Sequence, residues 1–243
     1  MSVQAQTLVG CCGFALPPTA YFKRFPVVEI QQSFYDPPRI QTALKWRGQA
    51  PDGFKFTLKA WQLITHDPSS PTYRRLRTPI DPSCRHLYGS FRPTPEVFAA
   101  WERTLLLAKA LEASLVVFQC PAAFRPETYN LDNMRIFFGS IPREGIPMAW
   151  EPRGNWPLDL VESLCRELDL IHCVDPFRGL PVAGAIRYFR LHGVTGYGYV
   201  FTDQDLSRLR SWCQGVMTYV LFNNRSMTQD AMRFKLLLEE PGS

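Results

Sequence analysis

The sequence predicts a single (β/α)8 barrel, an α/β fold. Its length of 243 residues fits the roughly 250 residues typical of one such barrel. Short β-rich apolar runs occur eight times, and segments with helical periodicity separate most of them. Repeated strand–helix alternation favours parallel strands joined by right-handed crossovers. An open doubly wound sheet is the alternative, but no G-x-G-x-x-G follows the first run, which weakens a dinucleotide-binding version.

The eight predicted strands begin as nearly continuous apolar runs, as parallel strands buried on both faces do. Most of them end in glycine, proline, asparagine or another polar residue. They span Leu8–Gly13, Val27–Phe34, Phe54–Ala60, Leu115–Pro121, Pro147–Arg153, Leu170–Asp175, Ile186–Gly193 and Met217–Asn223.

Four segments between the strands, and one after the last strand, have the periodicity of amphipathic helices. Thr94 is the predicted N-cap of the longest, and Thr202 forms a capping-box-like pair with Asp205 at another. The link between the sixth and seventh strands is short and rich in proline and glycine, so we expect a reduced or missing helix there. The predicted helices are Pro38–Trp46, Pro95–Leu111, Asp159–Leu168, Asp203–Cys213 and Met227–Glu240.

No linker-like stretch divides the chain, so residues 1–243 are predicted to form one domain. One long irregular loop, at about 65–93, is rich in proline and basic residues. A connection this long inside a compact domain is usually functional or partly disordered. Its charges fit a solvated face, or a rim that contacts phosphate or nucleic acid through arginines interleaved with aromatics. The arginines are Arg74, Arg75, Arg77, Arg85 and Arg92.

Charge, cysteine content and hydropathy limit the ligands and the cellular compartment that the sequence predicts. The formal charge of +5 is compatible with anionic ligands. Seven irregularly spaced cysteines include no C-x-x-C pair, which argues against a zinc ribbon and favours a reducing compartment without structural disulfides. The amino terminus has no secretory pattern, and no apolar run is long enough for a membrane span. We therefore expect a cytoplasmic protein without a membrane partner; the sequence leaves its oligomeric state open.

Charged side chains recur at alternate positions near the carboxyl ends of the predicted strands. Alternate residues of a barrel strand point into the lumen, and barrel enzymes place their chemistry at the carboxyl ends. A buried salt-bridge network without a ligand is the alternative interpretation. The candidate catalytic residues are Glu29, Lys59, Glu151, Asp175 and His192. The candidate substrate-binding residues on the strands are Gln119, Arg153, Arg190 and Asn223.

The same set bears on metal binding. Carboxylates and a histidine on different strands are suitable metal ligands, so a metal site is an alternative. However, three acidic side chains are matched by Lys59, Arg153 and Arg190, and the set balances its charge without a metal. We therefore predict no metal and no cofactor.

Seven blocks of the chain, in order, resemble the YecE-like family, also called domain of unknown function 72. They are V-G-C-C-G-F, F-P-V-V-E-I-Q-Q-S-F-Y, G-F-K-F-T-L-K-A with I-T-H, V-V-F-Q-C-P, W-E-P-R-G-N-W, Y-F-R-L-H-G and L-F-N-N. The resemblance implies a barrel of the triosephosphate isomerase type and no particular reaction. It adds Tyr35, His66 and Asn224 to the candidate substrate-binding residues. Where the family usually has a histidine after the arginine of the fifth block, this chain has Gly154.

Three functional hypotheses follow. In the first, the protein is an enzyme acting on a small or terminal phosphate- or carboxylate-bearing substrate, anchored by Arg153 and Arg190. Glu29 or Glu151 would be the general base, and His192 or Lys59 the general acid; a Schiff base at Lys59 is weighed as an alternative to a charge-bearing role. In the second, it processes nucleic acid like metal-dependent barrel endonucleases, contacting it through the Arg74–Arg92 loop. In the third, it is a non-catalytic module that binds an anion or a protein.

Overall fold

Eight parallel strands close into a barrel in the computed structural model, which describes residues 6–77 and 79–240. Each strand pairs with its neighbours in chain order, and the first pairs with the eighth from Thr7–Thr218 to Cys11–Phe222. This closure confirms the predicted (β/α)8 barrel. The strands are β1 (Thr7–Cys12), β2 (Val27–Ile30), β3 (Lys55–Lys59), β4 (Leu115–Gln119), β5 (Met148–Glu151), β6 (Ile171–Val174), β7 (Arg187–Leu191) and β8 (Thr218–Phe222).

Helices of very different length connect the strands. Two 3-10 helices, Pro71–Arg75 and Pro82–Leu87, lie in the long basic loop. The α-helices are α1 (Pro18–Phe22), α2 (Gln32–Tyr35), α3 (Ile40–Gln49), α4 (Gln62–Thr65), α5 (Pro95–Leu111), α6 (Thr128–Ser140), α7 (Leu158–Glu167), α8 (Asp203–Trp212) and α9 (Met227–Glu239).

The second strand is shorter than predicted. Its predicted range continued to Phe34, but β2 ends at Ile30 and the chain turns into α2. The Ser33 hydroxyl lies 2.6 Å from the carbonyl oxygens of both Ile30 and Lys59, so it links this turn to the end of β3. The prediction was wrong because serine can bond nearby backbone groups and so compete with strand pairing. The other strands end one or two residues before their predicted limits.

The predicted helices are present, and one further long helix is added. α5 begins and ends where expected, and Thr94 caps it by accepting the Val97 N–H at 3.3 Å. The capping box of Thr202 and Asp205 is formed at α8. No predicted helix corresponds to α6, because buried asparagines interrupt its apolar stripe. Within the described segment between β6 and β7 no helix forms, which agrees with the expectation of a missing one.

Alternation along the strands separates two apolar layers. Leu115, Val117 and Tyr188 belong to the inner cluster that fills the lumen. Phe56 and Phe189 belong to the outer cluster, between the barrel and the helices. The lumen is therefore apolar over most of its depth, and its polar residues are concentrated at the carboxyl ends of the strands, as the period of two predicts.

Two arginines of the long basic loop contact the turn after β2, and two contact other residues of the loop itself. The Tyr73 hydroxyl also donates to the His66 carbonyl at 2.8 Å. Four of the five loop arginines have partners within the chain, but Arg74, Arg75, Arg77 and Arg85 are exposed, which fits the solvated face. Nucleic-acid binding by the loop stays a prediction. The contacts join Arg75 to the Tyr35 ring, Arg77 to Asp36, Arg85 to the Pro68 carbonyl and Arg92 to Asp67.

Within residues 6–77 and 79–240, no helix combines the length and apolar character that a membrane crossing requires. All seven cysteines are free thiols. The single domain predicted over residues 1–243 includes residues 1–5 and 241–243, which lie outside the described part of the chain.

Candidate functional site

A buried cluster around Arg190 occupies the centre of the barrel mouth. From β7, its Nε and Nη2 donate to the two oxygens of Glu29 at 3.0 and 2.9 Å. Its Nη1 donates to Gln119 Oε1 at 3.2 Å and to Glu151. The Arg190 side chain is 1% exposed. Burial alone would lower the pKa of Arg190, but Glu151 and Glu29 outweigh it and raise this pKa well above its ordinary value.

Glu29, on β2, is closed to any ligand. One of its oxygens also accepts from Gln31 Nε2 at 2.6 Å, and the other accepts from the Tyr188 hydroxyl at 2.9 Å. Its side chain is fully buried. Each oxygen of Glu29 therefore accepts two hydrogen bonds from the protein. No lone pair is left to take a proton from a substrate, so Glu29 is unsuited to the predicted role of general base and instead binds Arg190.

A second, more open group lies beside this cluster, on the loops that follow β5 and β7. Arg153 is 41% exposed and donates Nε and Nη2 to Glu151 Oε1 at 3.1 and 3.0 Å. Burial raises the pKa of Glu151, but Arg190, Arg153, His192 and Lys59 outweigh it and lower this pKa to about 2. Glu151 is therefore an anion at neutral pH and a weak base.

The hydrogen bonds of His192 define its tautomer. Arg153 Nη2 lies 2.9 Å from His192 Nε2. Because a guanidinium has no acceptor atom, Nε2 must accept this bond and carry no proton. The proton of the neutral ring is then on Nδ1, which lies 3.5 Å from Asp175 Oδ2. Asp175 also accepts the backbone N–H groups of His192 and Phe177 at 2.9 and 3.2 Å, which fixes it behind the ring.

A cavity of about 280 Å³ opens next to this group. Glu151, Arg153, Asp175 and His192 line it together with apolar side chains from α7 and the β6–β7 segment. Its size is just below the usual range for ligand pockets, roughly 300–1,000 Å³. It lies where the helix between β6 and β7 is missing, so the short connection leaves space beside β6.

Two polar residues of the cavity were not predicted. Arg178 is exposed and lies in the loop after β6. His172 is buried, and its Nδ1 accepts the Val182 N–H at 3.2 Å. Burial lowers the pKa of His172 to about 4, so the ring is neutral. His172 stands between Ile171 and Cys173, which point into the lumen, so the alternation used for the other strands did not single it out. A loop position such as that of Arg178 has no periodicity to indicate it.

On the opposite side of the mouth, Lys59 and His66 lie around Phe34. The Lys59 amine is 3.4 Å from the centre of the Phe34 ring, and the His66 ring is 4.8 Å from it. Burial, then the charges of Lys59 and Arg153, lower the pKa of His66 to about 3. His66 is thus neutral, and its Nδ1 lies 2.8 Å from the Thr65 hydroxyl.

The predicted residues therefore divide into groups. Glu29, Gln119, Glu151 and Arg190 meet in the central cluster, while Lys59 and His66 lie on one side and Arg153, Asp175 and His192 line the cavity on the other. Tyr35 is half-buried beneath the Arg75 guanidinium at 3.8 Å, and Asn223 accepts from the Tyr197 hydroxyl. The Asn224 amide nitrogen donates to the Tyr199 carbonyl and to buried Asp230, while its Oδ1 is buried without a partner among the residues that the structure describes. Its part in substrate binding stays a prediction.

The donor atoms at the mouth are not arranged around a common point. Among the described residues, no three histidine, cysteine, aspartate or glutamate side chains converge as metal ligands would. Their oxygens are directed at arginines and backbone N–H groups instead. The absence of a metal stays a prediction.

Solved structures with similar folds include two members of the DUF72 family. The protein from Enterococcus faecalis V583 is 19% identical, with a TM-score of 0.75 over 98% of this chain and 99% of that one. The protein from Thermotoga maritima MSB8 is 19% identical, with a TM-score of 0.71 over 97% and 100%. Endonuclease IV from Thermus thermophilus is 10% identical, with a TM-score of 0.50 over 97% and 99%, and shares the fold alone. Among curated proteins no match was found.

A family model described as "Protein of unknown function DUF72" matches residues 19–241. This range contains most of the sequence blocks on which the resemblance rested, and it includes the whole candidate site. The chain therefore belongs to the DUF72 family.

Proposed function

We propose that the protein is an enzyme that binds a small anionic substrate in the cavity and uses His192 as its general base. The observation that carries this proposal is the 2.9 Å contact between Arg153 Nη2 and the unprotonated Nε2 of His192, at a cavity wall. A base and an anion-binding group are thereby held against each other.

The anion would bind Arg153 and Arg178. Both line the cavity, and both are exposed enough to reach a ligand. Arginine binds carboxylate and phosphate through paired, charge-assisted hydrogen bonds. Arg190 was the other expected anchor, but its guanidinium is sealed from the cavity and engaged by Glu29, Gln119 and Glu151. Arg178 takes that place in our proposal.

Binding of the anion would also release the base. An anion that pairs with Arg153 draws its guanidinium away from His192 and leaves the Nε2 lone pair facing the substrate. Asp175 stands at Nδ1, where a carboxylate orients the ring and stabilises the imidazolium that forms when Nε2 takes a proton. Glu151, held as an anion, keeps Arg153 within reach of the cavity when no substrate is bound.

The remaining walls favour a substrate with an apolar part. Leu158, Val161 and Leu180 line the cavity, and Leu158 and Leu180 are 60% and 51% exposed. Exposed leucines at the rim of a polar cavity are suited to cover the hydrocarbon portion of a ligand whose charged group is bound deeper. The proposed substrate is therefore a small phosphate- or carboxylate-bearing molecule with a short apolar portion.

Thermal unfolding in inorganic phosphate and in butyrate tests the binding step. Ligands that bind only the folded state raise the melting temperature with concentration. We expect this rise in the wild type and its loss in R153A and in R178A. The matched control is R166A, which removes the same charge from the exposed side of α7 and should keep the rise. A rise that survives in both cavity variants would contradict the proposal.

A turnover screen with small phosphate esters and carboxylates tests the catalytic step. We expect H192Q to keep the ligand-dependent rise in melting temperature and to lose turnover by about 100-fold or more, the usual contribution of a general base. Wild-type binding without turnover of any compound would support the non-catalytic binding module instead.

A further inference from the structure

Among the described residues, the buried Lys59 amine forms no ion pair with a carboxylate. It ends β3 with 4% of its surface exposed. Among the described residues no carboxylate oxygen lies within 4 Å of its Nζ, and no hydrogen bond from it is formed; its close contact is the Phe34 ring. A lysine with a purely structural role in a charged cluster would be expected to pair with a carboxylate.

The nearby carboxylates are engaged elsewhere. Arg190 binds both Glu29 and Glu151, and Arg153 binds Glu151 as well. Burial is the largest influence on Lys59, and the charge of Arg190 adds to it; together they lower its pKa to about 7, against the opposing effects of Glu151 and Glu29. A substantial fraction of the amine is therefore unprotonated at neutral pH.

We propose that Lys59 is a nucleophile that forms a Schiff base with the substrate, and that the substrate is therefore an aldehyde or a 2-oxo acid. Desolvation and neighbouring cations are the two conditions that activate a lysine for this reaction. The Phe34 ring positions the amine through a cation–π contact at 3.4 Å that occupies none of its lone-pair or N–H directions toward an oxygen acceptor. The turn that carries Phe34 is tied to β3 by Ser33. This inference rests on the proposed function for the anionic group of the substrate, but the reactivity of Lys59 stands by itself.

The chemical step conserves charge. The unprotonated Nζ adds to the carbonyl carbon, the carbonyl oxygen gains two protons and leaves as water, and a protonated imine remains. Overall, one ammonium group and one carbonyl compound give one iminium ion and one water, so the site keeps a single positive charge. Cyanoborohydride then delivers hydride to the iminium carbon and converts it to a stable secondary amine.

Reductive trapping with glyoxylate tests the inference. The folded protein is treated with glyoxylate and cyanoborohydride at pH 7.5, and carboxymethylated lysines are quantified by peptide mass spectrometry. Lys55, exposed at the other end of the same strand, is the internal control. We expect Lys59 to be labelled at least about tenfold more than Lys55 in the native protein, because its amine is activated by its surroundings. The preference should vanish in guanidinium chloride.

Acetaldehyde in a parallel reaction separates the two proposals. Preference for Lys59 with both reagents, and a stronger one with glyoxylate that R153A removes, supports the Schiff base and the anion site together, because Arg153 lines the cavity and its charge also acts on Lys59. Equal preference with both reagents supports the nucleophile and contradicts the anion site. Labelling of Lys59 no higher than that of Lys55 with either reagent overturns the inference, whatever the thermal unfolding experiments show.

Discussion

Arg190 and Glu29 form a two-point ion pair across the barrel lumen, with Nε–Oε2 and Nη2–Oε1 distances of 3.0 and 2.9 Å. Their side chains are 1% and 0% exposed. Neither residue lines the cavity that we assign to the ligand, but the same guanidinium also binds Glu151, which does. Arg190 therefore links Glu29 in the barrel interior to Glu151 at the candidate site. Because it occupies both carboxylates, it limits the acids with which Arg153 and Lys59 can pair.

Replacing Arg190 by methionine is expected to destabilise the fold severely. The substitution leaves Glu29 and Glu151 buried without their cation, and breaking a buried pair on one side costs about 3–5 kcal/mol. Urea unfolding of R190M measures the loss. R135M is the control, since Arg135 and Glu167 are 42% and 43% exposed and such surface pairs contribute about 1 kcal/mol or less. Equal losses of unfolding free energy in R190M and R135M would show that the Arg190–Glu29 pair contributes no more to stability than a surface pair.

Lys59 should make the stability of the protein depend on pH. Its pKa is about 7 in the folded chain and 10.5 ordinarily, so between these values the unfolded chain binds a proton that the folded chain does not. Stability from this group therefore falls as pH drops from about 10.5 to 7, by up to about 5 kcal/mol at 1.36 kcal/mol per pKa unit. We expect K59M to be more stable than the wild type at pH 7, by an amount that shrinks as pH rises.

Urea unfolding of K59M and the wild type at pH 7, 8 and 9 measures that difference. A constant difference across the series would mean that the amine is charged in the folded protein. K55M, at the exposed end of β3, is the control and should show no such trend.

Gly10 is required by the close approach of β1 and β2. It stands opposite Val27 in the pairing, and a Cβ at this position would overlap the Val27 carbonyl oxygen. We expect G10A to destabilise the barrel by about 3 kcal/mol, the upper cost of overpacking. G48A is the contrasting variant: Gly48 is in α3 with open space around its Cβ position, so alanine should stabilise by about 0.5–1 kcal/mol. Thermal unfolding of both variants checks the signs.

Chelation should leave the protein unchanged. Arg190 and Arg153 neutralise Glu29 and Glu151, and backbone N–H groups bind Asp175. A divalent cation would add positive charge beside Lys59. We expect well below one equivalent of zinc, manganese or iron in protein purified without chelator, and the same melting temperature with and without EDTA. Stoichiometric metal, together with a fall in melting temperature on chelation, would favour the endonuclease-like hypothesis.

The sequence by itself determined the barrel and the face on which each strand residue lies. Strand geometry has a period of two, so Glu29, Lys59 and Arg190 were assigned to the lumen from their spacing alone. Clear caps and an uninterrupted apolar stripe likewise defined α5. Helix α6 was not predicted, because Asn130 and Asn133 are residue types usually found at the surface and interrupt its apolar stripe. In the structure both are buried, and their amides donate to the carbonyls of Arg125 and Ser90.

Only the tertiary structure decided which charges pair and which remain free. Arg190 and Glu29 are 161 residues apart, and their pairing depends on strand register and on side-chain direction across the closed lumen. The same contacts seal Arg190, leave Lys59 without a carboxylate, and place Arg153 against His192. Arg178 reaches the cavity through a loop with no periodic pattern. A local pattern records which face a residue occupies, whereas pairing among several like and opposite charges depends on distances that only the folded chain fixes.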